Sequence, residues 1–382
     1  MPTTSFPRHQ RDSAGRFVLE LAIRLVERGH SIEVLAPEPD DGVAPAMPAG
    51  VSLGWVPYLR PRALQRTFYG GGVLDNLGSP LAWPGVGTFP LALATALRQR
   101  APHWDAVVSH WALPCGLLAS RTGLPHAALV HSADAHLLSR LPLRDRWARS
   151  IASGAKLFAS SQGTRRTLLC AFIGAPPVVE VLPMGSDEPL VSERERAEAR
   201  RALGVDGLVV LSIARLVPVK RIEHVIDAIA ALPNATLVLA GEGPLRGELT
   251  ARARDIAARF LGSVDRVTLR RWLAAADVVV LASSPLADGR TEGAPVAISE
   301  ALGAGIPVIA SATGGVPDLV EDGVNGLLIT PGDVAALARA LQGFAADRSL
   351  ADRLRAGARS RRAPSMRSAA ARLESALTAP II

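Results

Sequence analysis

The 382-residue chain carries 42 Lys and Arg against 35 Asp and Glu, a formal charge of +7, with 48% hydrophobic and only 4% aromatic residues. That length exceeds one ordinary core and asks for two domains, and the apolar fraction is that of a globular chain. No uninterrupted apolar run reaches the roughly eighteen residues of a membrane span. Cys115 and Cys170 build neither a disulfide framework nor a metal site, and fit a reducing cytosol. The first residues show no basic stretch followed by an apolar block, so no secretory signal is expected. The positive charge favours anionic partners. Scattered arginines and scarce aromatics argue against nucleic acid, leaving anionic substrates or a phospholipid surface.

In chain order, Gly15–Arg28 reads as a helix with Phe17, Val18, Leu21, Leu25 and Val26 on one face. Ser31–Ala36, Ala106–Ser109 and Ala127–His131 read as short buried strands. Pro183 to Asp187 is turn-rich, and Ser192–Leu203 reads as a charged helix opening a new unit. Leu208–Ile213, Ala235–Ala240, Val278–Ala282, Pro307–Ala310 and Gly326–Ile329 are strand-like, most of them separated by helical segments. A last helix lies around Met366–Leu377 and is expected to pack back on the first domain. Strands alternating with helices predict an α/β fold of parallel sheets covered on both faces. The expected domains are 1–187, 188–362 and a C-terminal helical segment, 363–382. In such sheets ligands bind beyond the carboxyl ends of the strands, so functional residues are sought there, in a cleft between two facing domains.

The strongest local signal is Glu292-Gly-Ala-Pro-Val-Ala-Ile-Ser-Glu300. Gly293 and Pro295 suit a helix opening, whose free amides favour a phosphate. If the stretch is largely helical, the two carboxylates stand about 12 Å apart, at about 1.5 Å per residue. That spacing excludes a proton-sharing dyad and exceeds the ~5 Å of a retaining glycosidase. It suits gripping both ends of an elongated ligand; the plainer alternative is a helix whose first acid compensates the dipole. Arg215 and Lys220 follow the strand Leu208–Ile213, five residues apart across a proline turn. Of the 42 basic residues only Lys156 and Lys220 are lysine. Two cations at a strand end can stabilise a leaving diphosphate; the alternative is a solvated surface pair. His131, in His131-Ser-Ala-Asp134, ends another strand and can exchange a hydrogen bond near neutral pH, although a strand-end histidine is often structural. His110-Trp111 is a weaker candidate of the same kind. Gly15 opens a helix and could let backbone approach a phosphate, a weak signal alone. Gly241-Glu-Gly243-Pro244 reads as a tight turn.

Taken together, the motifs resemble the retaining glycosyltransferases of family four, which have the GT-B fold of two Rossmann-like, doubly wound parallel-sheet domains. The matching stretches are SIARLVPVK, VLAGEGP, FLGSV, ADVVVLAS, DGRTEGAPVAISEALGAGIPVIAS, TGGVPDLVEDGVNGLL and PGD. In the first half they are TTSFPRH, AGRFVLELA, ERGHSIEVL, HWALPCG and HSAD. The resemblance implies transfer of a hexose-type sugar, with retention, from a UDP- or GDP-sugar to a glycan, a lipid-linked or a small-molecule acceptor. It implies that Glu292 sits beside the donor sugar and that Glu300 binds the ribose hydroxyls. Arg215 and Lys220 would hold the diphosphate, helped by backbone at Gly293, Ala294, Val296 and Gly15. His131 would contact the sugar near the reacting carbon, and Asp134 would support the neighbouring loop of the donor site. No protein nucleophile is implied, and no metal or other cofactor. The setting implied is cytoplasmic, with peripheral contact at the anionic inner face of the membrane.

Acceptor recognition would fall to the first domain, where Tyr58–Asn76, with Tyr69-Gly70-Gly71-Gly72, offers a loop. Arg60, Arg62 and Arg66 there would meet an acceptor phosphate or be solvated. The chain departs from the family pattern at three places. Only Met1-Pro2 precede Thr3–Pro7 where a buried first strand is expected, Ser132 stands where glycine is usual, and Arg221 replaces a glycine after Lys220. Two rivals remain: a sugar-nucleotide epimerase of the same fold, and a non-catalytic nucleotide-sugar-binding protein.

Overall fold

The computed structural model describes residues 1–41, 46–69, 73–76, 78–232, 234–361 and 363–378. The chain forms two compact units, Gly185–Ser365 and a first unit of Met1–Met184 rejoined from Met366 onward.

In the first unit β1 (Ile32–Pro37) pairs in parallel with β2 (Val51–Val56). A second parallel ladder runs β3 (Val107–His110), β4 (His126–Val130), β5 (Lys156–Ala159), β6 (Val179–Val181). Met1–Thr3 lies between the two ladders. The Leu35 amide donates to Met1 O at 3.0 Å, Thr3 N to Leu35 O at 2.9 Å, and His110 N to Pro2 O at 3.0 Å. The slot expected to lack a strand is therefore filled by three residues, and the sheet continues from β2 to β6 through them. The Met366–Thr378 helix belongs to this unit. Lys156 Nζ donates to Ala376 O at 2.8 Å, Arg372 Nη2 to Glu180 Oε2 at 2.7 Å, and Glu374 receives Arg28 and His30.

The second unit is one six-stranded parallel sheet, order β12-β11-β10-β7-β8-β9. Its strands are β7 (Leu208–Ile213), β8 (Ala235–Ala240), β9 (Ala258–Gly262), β10 (Val278–Leu281), β11 (Val308–Ser311) and β12 (Gly326–Ile329). Alternate residues of each strand enter opposite cores: Val209 and Leu211 face one helical layer, Val210 the other. Both faces are thus covered, which is why these strands read as unbroken aliphatic runs. The helix Glu193–Leu203 starts where Ser192 caps it, accepting from Glu195 N at 3.1 Å.

Two expectations are corrected. β2, β5, β6 and β9 were not foreseen, because short parallel strands interrupted by a glycine or a charged residue (Gly54, Lys156, Glu180, Arg259) carry no clear pattern to detect. The stretch from Glu292 to Glu300 is not one helix: Pro295 is extended at φ −70°, ψ 115°, and the helix runs only from Val296 to Gly303. A separation computed from helical rise therefore does not apply.

Leu211 is fully buried in the central strand. Leu211→Ala should cost about 2–5 kcal/mol through lost contacts and a residual cavity, whereas Leu190→Ala, 50% exposed, should stay within about 0.5 kcal/mol. Urea denaturation of both variants checks this, and equal losses would refute the core assignment.

Candidate functional site

In the second unit, β7 and β10 run side by side, with Val278 opposite Val210 and Val279 opposite Leu211. From β7 the sheet builds outward through β8, from β10 through β11. Connections leave this point in opposite directions and open a crevice at the carboxyl ends. The candidate residues gather there. After β7 the chain makes a 3₁₀ turn at Pro218–Lys220, and Arg221 adopts φ 48° before the helix Ile222–Ile229. A left-handed non-glycine costs about 1–2 kcal/mol, so the turn is held by its surroundings. Ser284 N, in the loop after β10, donates to Val219 O at 3.0 Å.

That contact brings Lys220 to Glu292. Lys220 Nζ donates to Glu292 Oε2 at 2.5 Å, and Ser283 Oγ donates to the same oxygen at 2.8 Å. The two side chains are only 13% and 12% exposed. Burial alone would raise the Glu292 pKa, but the Lys220 charge and hydrogen bond, the Ser283 hydroxyl and the Arg215 charge outweigh it and hold the carboxyl below its ordinary value. Glu292 is therefore ionised and fixed. Arg215, between β7 and that turn, is exposed.

Glycines set these loops. Gly314 has φ 59°, and a Cβ there would stand 1.8 Å from Glu292 O. Gly315 N donates to Gly293 O at 2.7 Å, and the Thr291 and Thr313 hydroxyls meet at 2.6 Å. The segment expected as a tight turn, Gly241 to Gly243, is a close backbone approach: Cβ atoms there would lie 1.9 Å from Ala214 O and 2.3 Å from Leu216 O. It braces the strand end that carries Arg215.

Beyond Gly293 and Ala294 the helix opening at Val296 presents Glu300, 8% exposed. Arg266 Nη1 donates to Glu300 Oε1 at 2.6 Å, and its other nitrogen reaches Glu188. Arg270 joins Glu195 at 2.7 Å. Neither Arg266 nor Glu188 was singled out from sequence. A signal existed: Arg266 opens its helix, where a cation opposes the dipole and calls for a nearby acid.

In the first unit the corresponding reversal lies between Met1–Thr3 and β3. Gly15 stands beside it at φ 61°, and a Cβ would fall 2.1 Å from Ser5 O. The helix it opens sends Phe17 against His131 and His110, ring centroids 5.0 and 5.6 Å apart. His110 Nδ1 and His131 Nε2 share a hydrogen bond at 3.3 Å, their rings stacked at 9°. Trp111, 5.0 Å from His131 by ring centroids, has φ 67° and ψ 130°. Such a conformation costs about 1–3 kcal/mol and clusters at functional sites. Asp134 Oδ2 accepts from Ala112 N at 2.5 Å and Oδ1 from His131 N at 2.8 Å. Its two oxygens are thus engaged with backbone amides, and it ties the loop after β3 to the end of β4.

Burial moves all of these groups. His131 is pushed down to about 4 and His110 well below its ordinary value, by desolvation and then, for His110, by the His131 charge. His126, bonded to Ser109 Oγ at 2.8 Å, is desolvated to about 4. Asp134 rises to about 7 because desolvation outweighs its backbone hydrogen bonds.

The structure thus brings Arg215, Lys220 and Glu292 to one strand-end crevice. Gly293, Ala294 and Val296 lead from it to Glu300. Gly15, His131 and Asp134 gather with His110 and Trp111 at the other unit's reversal. Arg62 and Arg66 face acids instead: Arg62 lies 2.6 Å from Glu38 and Arg66 3.8 Å from Asp40. Gly70, Gly71 and Gly72 of the expected acceptor loop lie outside the described residues. Among the described residues no three His, Cys, Asp or Glu are placed to hold a metal ion.

The histidines fix a pH dependence. Each is neutral when folded and takes up a proton near its ordinary 6.5 when unfolded. Stability is then lost as pH falls from about 6.5 to about 4, by about 3 kcal/mol for a shift such as that of His126. Asp134 works in the opposite sense between about 7 and 3.8, but three histidines outweigh one carboxyl. Trp55, Trp83, Trp104, Trp111 and Trp147 lie in the first unit and only Trp272 in the second, so fluorescence melting follows the first. Its transition should drop between pH 7 and 4.5; an unmoved transition contradicts the assignment.

Comparison with known proteins yields consistent matches. Residues 13–185 match the family model described as glycosyl transferase 4-like domain, and residues 193–361 the model described as glycosyl transferases group 1. A D-inositol 3-phosphate glycosyltransferase of Mycobacterium leprae is 31% identical over 349 residues, covering 82% of this chain and 75% of the relative. The protein of that name from Kribbella flavida is 29% identical over 368 residues, covering 87% and 82%. Among solved structures, Anabaena Alr3699/HepE in complex with UDP and glucose aligns with a TM-score of 0.70 at 22% identity over 99% of both chains. WaaG, a glycosyltransferase involved in lipopolysaccharide biosynthesis, aligns with a TM-score of 0.68 at 17% identity over the whole of both chains.

Proposed function

The chain belongs to the group 1 glycosyl transferases and has the GT-B fold, and from that premise we propose that it transfers a hexose-type sugar, with retention, from a UDP- or GDP-sugar to a hydroxyl acceptor. The observation that carries the reading is the buried Lys220–Glu292 pair beside Arg215, at the switch point of the second sheet. An ionised carboxylate held at the foot of two cations does not suit an anion by itself. It suits a ligand with an anionic part for Arg215 and Lys220 and hydroxyls for Glu292, which is the make-up of a sugar diphosphate.

In this proposal the diphosphate lies against Arg215, Lys220 and the amides of Gly293, Ala294 and Val296. The ribose hydroxyls go to Glu300, and Glu292 accepts from the sugar. His131 keeps the role the resemblance gives it, on the sugar. As the bond from the anomeric carbon to the phosphate oxygen breaks, the electron pair passes to that oxygen, and fixed cations stabilise the growing charge. The acceptor oxygen forms its bond on the face the diphosphate leaves, and its proton goes to a phosphate oxygen. No metal or other cofactor takes part in this scheme, since side chains and amides meet the charge. The relatives named for D-inositol 3-phosphate direct a first acceptor screen toward phosphorylated polyols, with glycans and lipid-linked sugars as further arms.

The test follows free nucleotide diphosphate during incubation with a panel of UDP- and GDP-sugars. A transferase releases it in proportion to sugar transferred. An epimerase returns the nucleotide sugar intact, and a binding protein releases nothing; either outcome removes the proposal. Glu292→Gln should keep donor affinity within a few-fold and cut turnover about 100-fold or more; unchanged turnover takes Glu292 out of the site. Lys220→Ala should weaken binding of the nucleotide diphosphate by about 10- to 100-fold in calorimetry, and equal affinity would defeat its assignment.

A further inference from the structure

Two histidines of the first unit settle each other's protons. His131 follows β4 and caps the helix Ser132–Arg140 in a reciprocal box: the Asp134 amide donates to its ring, and Asp134 Oδ1 accepts from His131 N at 2.8 Å. The ring nitrogen used there is Nδ1, because Nε2 faces His110 Nδ1 at 3.3 Å. Burial keeps both imidazoles neutral, and a neutral imidazole has one N–H and one lone pair. With the Nδ1 lone pair engaged by the Asp134 amide, His131 carries its proton on Nε2 and donates it to His110 Nδ1. His110 must then carry its own proton on Nε2.

The cap excludes the opposite order. A proton on His110 Nδ1 would need the lone pair on His131 Nε2, and so a proton on His131 Nδ1 aimed at the Asp134 N–H. Two donors would then face each other. The order that remains leaves His110 Nε2–H buried, with no hydrogen-bond partner among the described residues, a deficit of about 1–3 kcal/mol. Native proteins seldom leave a buried polar group in that state, and where they do it calls for an explanation. Here the surroundings hold it. The His110 side chain is fully buried, its amide donates to Pro2 O at 3.0 Å, and Phe17 lies against both imidazoles. The strained Trp111 follows directly.

Neither ring nitrogen of His131 is therefore left for a ligand. Half-buried at the carboxyl end of β4, the ring offers only its carbons and its faces, with Phe17 and Trp111 beside it at 5.0 Å between centroids.

We propose that His110 is a positioning residue of the sugar subsite: by accepting His131 Nε2–H it fixes His131 in one tautomer and one orientation, so that His131 shapes the subsite as a wall and exchanges no proton with the sugar. The role rests on the reading above that His131 touches the sugar. The proton order does not, since it belongs to the free protein.

Long-range proton–nitrogen correlation spectra of the full chain, labelled with ¹⁵N at histidine, test that order without any substrate. His131, identified by the signals lost in His131→Asn, is expected in the Nε2–H form at neutral pH. His131 in the Nδ1–H form, or exchanging between the two, overturns the proposal whether or not the chain transfers sugar. Turnover of the productive nucleotide sugar then tests the role. His110→Phe keeps a ring and removes the acceptor. It should lower turnover about tenfold and let His131 exchange between tautomers, while affinity for the nucleotide diphosphate stays unchanged. His110→Asn returns an oxygen acceptor near the place of Nδ1, and should recover most of the turnover and the single Nε2–H form. Full turnover by His110→Phe, or a His110→Asn no more active than His110→Phe, removes the positioning role. Should His110→Phe not fold, the wild-type spectra and the turnover of His110→Asn still decide.

Discussion

The second unit is organised around one buried ion pair. Lys220 and Glu292 lie on loops from two adjacent strands, 72 positions apart in sequence, and each makes the burial of the other tolerable. A buried charge that loses its partner costs on the order of 3–5 kcal/mol, so neither loop can settle elsewhere without exposing or neutralising a charge. Ser283 on Glu292 Oε2, the Ser284 amide on Val219 O and Gly315 on Gly293 O all hold the geometry that the pair requires. The same arrangement leaves two cations and a carboxylate facing one crevice.

Both units place their candidate residues by the same topological rule. Parallel strands whose connections diverge leave a crevice at their carboxyl ends, and side chains immediately after the strands enter it. In the second unit these are Arg215, Lys220 and Glu292. In the first they are His110, Trp111 and His131, with Gly15 after the Met1–Thr3 segment. Among the described residues, two of the three non-glycines with positive φ, Trp111 and Arg221, lie at these points, the third being Leu143; packed surroundings can hold such an unfavourable φ.

The two reversals differ in electrostatics. The first gathers stacked imidazoles that burial keeps neutral, aromatic rings and a carboxyl whose oxygens accept backbone amides. The second is built from ions. Net charge divides the other way, with the whole excess on the first unit.

The sequence by itself determined the fold class, because buried parallel strands such as Leu208–Ile213 and Ala235–Ala240 must be continuous aliphatic runs. It also marked Glu292, Glu300, Arg215, Lys220 and His131 as residues after strands or at a helix start. Only the tertiary structure decided their partners: Lys220 with Glu292, Arg266 with Glu300, His110 with His131. It likewise decided that Gly241 and Gly243 brace the Arg215 loop, and that Met1–Thr3 completes the first sheet. The reason is physical. Local spacing fixes what one segment does, whereas which segments meet depends on strand order and crossover, and these are set by how whole faces pack.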